Sequence, residues 1–210
     1  MTNNIGKYYV HESKYWKDKK SLVLGVDEAG RGCWAGPLVV AGCILPNNYQ
    51  NDKIKDSKQL SPAQRDKLFN QIIEDAISYQ IIFVSPIDVD KLNPKQASIN
   101  GMFEIVKTIQ PRPTVALIDA EKLPKSDIET ISIIKGDANS ISIAAASILA
   151  KVTRDRYMNE IANKYPQFSF AKHKGYGTAD HLKELKNNGP IKDFHRYSYK
   201  PVKTILEKSK

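Results

Sequence analysis

Apolar runs of strand length alternate along this chain with longer stretches whose apolar residues recur at helical spacing. Leu22 to Val26 reads as a buried strand, and Pro37 to Leu45 as its hairpin partner, followed by the turn Pro46-Asn47-Asn48. Ser61-Pro62 supplies an N-cap followed by a proline at the first helical position, so a helix is expected from Pro62 to about Ala76. Tyr79 to Val84 is β-branched and apolar and predicts a third strand. Asn93-Pro94 repeats the cap-and-proline signal and opens a helix to about Ile109.

Beyond Pro111 and Pro113, Thr114 to Asp119 and Ile131 to Ile134 read as two more strands. A long helix follows, from between Asn139 and Ile143 toward Tyr165. Its first half carries Ala145, Ile148, Leu149 and Val152 on one stripe. Met158, Ile161, Ala162 and Tyr165 fall on nearly the opposite face, which requires a bend or contacts on both sides around Arg154 to Arg156. Thr178 to Asn188, stopped by Gly189-Pro190, and Val202 to Lys208 complete the helices. Two hairpin-like strands followed by alternating strands and helices predict an α/β fold, a mixed central sheet flanked by helices, with a helical C-terminal extension. A single domain is expected over residues 21–210, after a polar and basic segment over 1–20.

Three of these strands run into acids: Asp27-Glu28, Asp119, and Asp137 just after Lys135-Gly136. Taken singly, each Asp reads more readily as a cap or a surface charge. The repeated arrangement gives a reason to bring all four together, since strand ends can converge across long sequence separations. Carboxylates sharing a pocket repel and raise one another's pKa, and divalent cations relieve that repulsion. An oxygen-only donor set favours Mg²⁺ or Mn²⁺ over zinc, and two such ions about 4 Å apart suit in-line displacement at a phosphodiester. Side chains alternate along a strand, so the chain is expected to turn at Glu28 if Asp27 and Glu28 are to face one site. Ala29-Gly30-Arg31-Gly32 is composed to allow it.

Charge changes the picture of the partner. The formal net charge is +9, with Lys and Arg spread along the whole chain, which favours a polyanion, nucleic acid first. No run reaches the roughly 18 apolar residues of a membrane span, and the first twenty residues lack a secretory core, so a cytoplasmic home is expected. Cys33 and Cys43 have no metal-ligand pattern and read as small buried side chains. His11 and His181 read as surface residues.

Val26-Asp27-Glu28-Ala29-Gly30-Arg31-Gly32 resembles the signature of the ribonuclease HII family. The resemblance continues in order through Gly36 to Ala41, Asp56 to Ser61, Leu117-Ile118-Asp119, Lys135-Gly136-Asp137, Ala145 to Asp155, His173 to Thr178 and His195 to Ser198. Tyr199 stands where phenylalanine is usual. The resemblance implies a ribonuclease H-like fold, endonucleolytic cleavage of the RNA strand of RNA/DNA hybrids, and cleavage 5′ of ribonucleotides embedded in duplex DNA. It carries the catalytic, metal-binding role onto Asp27, Glu28, Asp119 and Asp137. By resemblance, Tyr176 and the Gly30-Arg31-Gly32 loop read the junction between a ribonucleotide and the deoxynucleotide on its 3′ side. Exposed backbone groups in that loop suit a 2′-OH, the feature that separates RNA from DNA. Lys58, Ser147, Lys151 and Lys174 are candidate phosphate contacts. No stable protein partner is inferred. Two other readings remain at this point: a basic module that only binds duplex nucleic acid, and a metal-dependent phosphatase or phosphotransferase acting on small molecules.

Overall fold

The computed structural model describes residues 7–54 and 60–208, so Lys58 and most of the Asp56 to Ser61 motif lie outside the described residues. Five strands form one mixed sheet in the order β3-β2-β1-β4-β5: β1 Val23–Ala29, β2 Leu38–Ile44, β3 Ser78–Val84, β4 Val115–Asp119 and β5 Glu129–Ile133. β1, β4 and β5 run parallel, with Val26 opposite Ile118 and Asp119 opposite Ile133. The helices are α1 Pro62–Asp75, α2 Pro86–Leu92, α3 Pro94–Thr108, α4 Ile141–Lys164, α5 Phe170–His173, α6 Ala179–Asn188 and α7 Lys200–Lys208. The α/β class with a mixed sheet is the expected one.

Local chemistry explains most boundaries. Ser61 and Gln64 form a reciprocal capping box at the start of α1. Asn93 Oδ1 accepts from the Gln96 amide at the start of α3, and the Thr178 side chain accepts from His181 N at the start of α6. Helix α2 is one of two short helices the apolar pattern missed, the other being α5. Ser85-Pro86 nevertheless opens α2 with the same signal as Ser61-Pro62, and Ser85 accepts from the Asp88 amide. The expected turn at Glu28 does not occur there. β1 stays extended through Ala29, and the chain first takes a positive φ at Gly30 (91°).

The chain divides into two compact units. The first comprises Met1–Glu28, Val40–Ile82 and Ile99–Val152; the second comprises Ala29–Val39, Phe83–Ser98 and Thr153–Lys210. Helix α4 runs unbroken for 24 residues, and the unit boundary falls within it between Val152 and Thr153. Its two apolar stripes serve two different cores. Ala144 to Ala146, Ile148 and Leu149 are fully buried in the first unit. Met158 belongs to the core of the second, with Ala35, Phe168, Phe170, Leu185, Phe194 and Val202.

In the first unit, α4 meets β1 backbone to backbone. A Cβ on Gly25 would lie 2.1 Å from the Ser142 carbonyl carbon and 2.4 Å from the Ile143 nitrogen. The start of α4 is also pinned from the N-terminal segment. Glu12 is fully buried, and its Oε1 accepts from the Ser140 hydroxyl and, at 3.1 Å, from the Ser142 amide. A carboxylate at a helix N-terminus is favourable electrostatically and satisfies an amide left unpaired by the helix. Gly25→Ala should push α4 off the sheet, lowering unfolding stability by about 1–3 kcal/mol or more, as overpacking does. Urea unfolding of the variant beside the parent measures this.

Candidate active site

In the first unit, Asp27 and Asp119 stand toward the carboxyl ends of neighbouring parallel strands, where open α/β sheets bind ligands. Val26 pairs with Ile118, so Asp27 and Asp119 follow at the next step on neighbouring strands. Strands in a sheet lie about 4.8 Å apart, and side chains in register share a face. Asp119 Oδ1 accepts from the Gly136 amide at 2.7 Å, which ties the end of β4 to the short 3₁₀ turn Gly136–Ala138 that carries Asp137. Asp27 and Asp137 are only 5% and 6% exposed.

Electrostatics sets Asp27 apart. Burial first, then the charges of Glu28 and Asp119, raise its pKa well above the ordinary carboxylate value. Two hydrogen bonds act the other way: one with the Ser147 hydroxyl, and one from the Glu28 amide to Oδ1 at 2.7 Å. Ser147 thus differs from its sequence-based expectation as a phosphate contact. It is 5% exposed, and its hydroxyl is engaged with the Asp27 carboxylate.

Among the described residues, no three His, Cys, Asp or Glu side chains stand close enough to cage a metal as they are. A cage is not what Mg²⁺ requires. It keeps several waters and binds through one or two carboxylates together with substrate phosphates. The donors here are carboxylate oxygens, and Asp27 carries more negative charge around it than its burial tolerates. That chemistry fits a divalent cation.

In the second unit, the glycine-rich loop after β1 is held from beneath by two fully buried arginines. Arg154 donates from Nε to Pro37 O (2.9 Å), from Nη2 to Ala35 O (3.1 Å) and from Nη1 to Lys174 O (2.9 Å). Arg196 donates from Nε and Nη2 to Gly36 O (3.1 and 2.9 Å) and from Nη1 to Arg31 O (3.0 Å). The Tyr199 hydroxyl accepts from Arg196 Nη1 at 3.1 Å and donates to Arg31 O, so the departure from phenylalanine adds a grip on the loop. A Cβ on Gly30, already at positive φ, would lie 2.0 Å from Arg154 Nε. Asp90, on α2, accepts from the Tyr197 amide and from the amide and hydroxyl of Ser198.

Tyr176 leaves the same unit half exposed, with the Arg154 guanidinium 5.5 Å from its ring centre. Burial, with Cys33 as hydrogen-bond partner, pushes its hydroxyl up to about 12, so it remains a neutral donor. Lys174, two residues earlier, takes a left-handed conformation, and its ammonium donates to Asn159 Oδ1 and Ala171 O. His181 is the clearest reversal. Expected on the surface, it is fully buried, because it lies one turn into α6 against Phe168, Phe170 and Trp34.

The family model for ribonuclease HII matches residues 24–202. The chain belongs to the ribonuclease HII family. A ribonuclease HII from Mycoplasma capricolum subsp. capricolum is 49% identical over 186 residues, covering 88% of this chain and 89% of its own. Among solved structures, the ribonuclease H2 of Pyrococcus horikoshii OT3 superposes with a TM-score of 0.76 at 27% identity, over 89% of this chain and 98% of that one. The ribonuclease HII in a PCNA complex from Archaeoglobus fulgidus gives a TM-score of 0.69 at 27% identity, covering 85% and 95%. As a ribonuclease HII, the chain is a hydrolase acting on RNA in RNA/DNA hybrids and depends on a divalent metal. Among the described residues no helix is long and apolar enough to cross a membrane.

The electrostatics of Asp27 yields a stability prediction. Its folded pKa lies above the ordinary carboxylate value, so the folded state binds the extra proton, and stability is lost as pH rises through that interval. Asp27→Asn removes the buried charge and should raise the melting temperature at pH 7.5 by about 2–6 °C in metal-free buffer. The gain should shrink as the pH falls through the raised folded pKa toward the unfolded value of about 4, and be gone below it, where Asp27 is protonated both folded and unfolded. Melting curves of both proteins across that range test the sign.

Proposed function

We propose that this ribonuclease HII cuts on the 5′ side of ribonucleotides embedded in duplex DNA, as well as within RNA/DNA hybrids, leaving a 3′-hydroxyl and a 5′-phosphate. The observation that carries this reading is Asp27, buried and raised by Glu28 and Asp119 at the ends of parallel strands. Asp27, Asp119 and Asp137 would hold the metal, in a two-ion arrangement with Mg²⁺ or Mn²⁺, and Glu28 would join them from a strand that stays extended, its charge already bearing on Asp27. Once bound, divalent ions polarise the phosphodiester and lower the pKa of water. Ser147 orients the Asp27 carboxylate, and the Gly136 amide fixes that of Asp119.

Gly30, Arg31 and Gly32 would meet the 2′-OH of the ribonucleotide through backbone groups. Tyr176 would contact the neighbouring sugar with its ring and offer its neutral hydroxyl. Glu28 and Ala29 are consecutive, so the metal-binding acids lead directly into the loop assigned to the sugar. Lys58 and Lys174 are the proposed phosphate contacts, within a chain whose net charge of +9 suits duplex nucleic acid. We take 21–210 as one catalytic domain working in the cytoplasm. Its two buried thiols, Cys33 and Cys43, form no disulfide, which is compatible with a reducing compartment.

The test is a duplex carrying one ribonucleotide, incubated with Mg²⁺ or Mn²⁺ and with a chelator. Cleavage 5′ of the ribonucleotide is expected with metal and none with chelator. Asp27→Asn and Asp119→Asn should each slow it by about a thousandfold or more while substrate is still bound, as expected from losing the metal's contribution to the transition state. A double variant that cuts at the parent rate would refute the assignment.

A further inference from the structure

Three buried histidines in the second unit are unused by the chemistry above. His173, His181 and His195 are 6%, 0% and 2% exposed, and the rings of His173 and His181 stack at 4.3 Å. Their hydrogen-bond partners fix every tautomer. The Ile191 amide donates to His195 Nδ1 at 2.8 Å, so the proton of that ring is on Nε2. His195 Nε2 lies 3.0 Å from His181 Nε2, which must accept. The remaining proton of His181 is therefore on Nδ1, and it is donated to the Tyr176 carbonyl at 2.9 Å. The Gly175 amide donates to His173 Nδ1 at 3.1 Å, leaving Nε2–H for Glu184 Oε2 at 2.9 Å.

These bonds converge on one peptide segment. The Tyr176 carbonyl accepts from His181 and from the Thr178 amide (2.9 Å), and the Tyr176 amide donates to His173 O (2.8 Å). The Gly175 carbonyl accepts from the amides of Trp34 (2.8 Å) and Ala35 (3.4 Å). The backbone on both sides of Tyr176 is thereby fixed while its ring stays half exposed. We propose that His181, set in one tautomer by His195, is a positioning residue that aims Tyr176 at the sugar beside the cut, and so governs selectivity for single embedded ribonucleotides. This rests on the assignment of Tyr176 to the sugar junction.

The device requires neutral rings, since a protonated His181 could not accept from His195. Burial lowers His181 to about 4 and, with His181 beside it, His195 to about 3, so both stay neutral over the working range. The aromatic wall of Phe168, Phe170 and Phe194 around His195 offers no competing partner. An imidazole in one tautomer is also stiffer than a hydroxyl, which could rotate between donor and acceptor roles.

The experiment compares kcat and KM on two substrates, a duplex with one ribonucleotide and a continuous RNA/DNA hybrid, for the parent, His181→Leu and His181→Asn. His181→Leu should lower kcat on the single ribonucleotide by about tenfold or more, as expected for a lost buried hydrogen bond, with KM and hybrid cleavage little changed. His181→Asn, whose amide can reach the Tyr176 carbonyl, should recover most of the loss. Nitrogen-15 spectra of the parent's imidazoles supply a readout independent of activity, with His181 expected as the Nδ1–H tautomer and His195 as Nε2–H. Melting temperatures establish that each variant is folded. If His181→Leu does not fold, the Asn variant and the spectra decide. Equal losses on both substrates, an Asn variant no better than Leu, or the opposite tautomers would overturn the positioning role. A parent that cuts hybrids but never a single ribonucleotide would instead overturn the junction assignment on which the role rests.

Discussion

Gly25 lacks a side chain, and the backbone of α4 occupies the place where one would be. That approach sets the height of α4 over β1, and much else follows from it. Two residues beyond Gly25 stands Asp27, and five beyond Ser142 stands Ser147, whose hydroxyl meets the Asp27 carboxylate. In the second unit, Arg154 of α4 holds the carbonyls of Ala35 and Pro37 with its guanidinium. One helix, seated without clearance on a central strand, supplies both an orienting hydroxyl and a buried cation. Glu12 secures its first turn, so the N-terminal segment is structural at that point as well as basic.

Two kinds of buried charge are handled in opposite ways. The guanidiniums of Arg154 and Arg196 are satisfied by carbonyl oxygens, using the several donors that the planar group presents. Burying a cation is costly, but each guanidinium nitrogen finds an acceptor, most of them carbonyls that would themselves need a partner. Asp27 is treated less generously. It retains two hydrogen bonds and faces two further carboxylates, which raises the cost of its ionised form. Stability is spent on a functional group in the first unit, whereas the charge in the second contributes rigidity.

The strands, the acids at their ends and the capped helices were legible because each rests on local chemistry. Ser61, Asn93 and Thr178 act as caps where they stand, and the run before Asp119 is a strand as read. What escaped depends on partners distant in sequence. His181 reads as one polar residue on a polar helix until Phe168, Phe170 and His195 close over it. Ser147 resembles any serine in an alanine-rich helix until α4 is laid on β1. The two stripes of α4 were visible, but that they serve two cores could be learned only from the fold. Glu12 gave no sign at all, since one acid in a basic segment looks like a surface charge.

The grip of Arg196 and Tyr199 on the Arg31 carbonyl has an outcome on the far side of that peptide. A trans peptide is planar, and its C=O and N–H point in opposite directions. With the carbonyl drawn inward by a buried cation, the Gly32 N–H is turned outward, at a residue where an added Cβ would find nothing within 4 Å. The loop's flexible composition therefore ends in a fixed dipole, whose direction is set by charge that no solvent reaches.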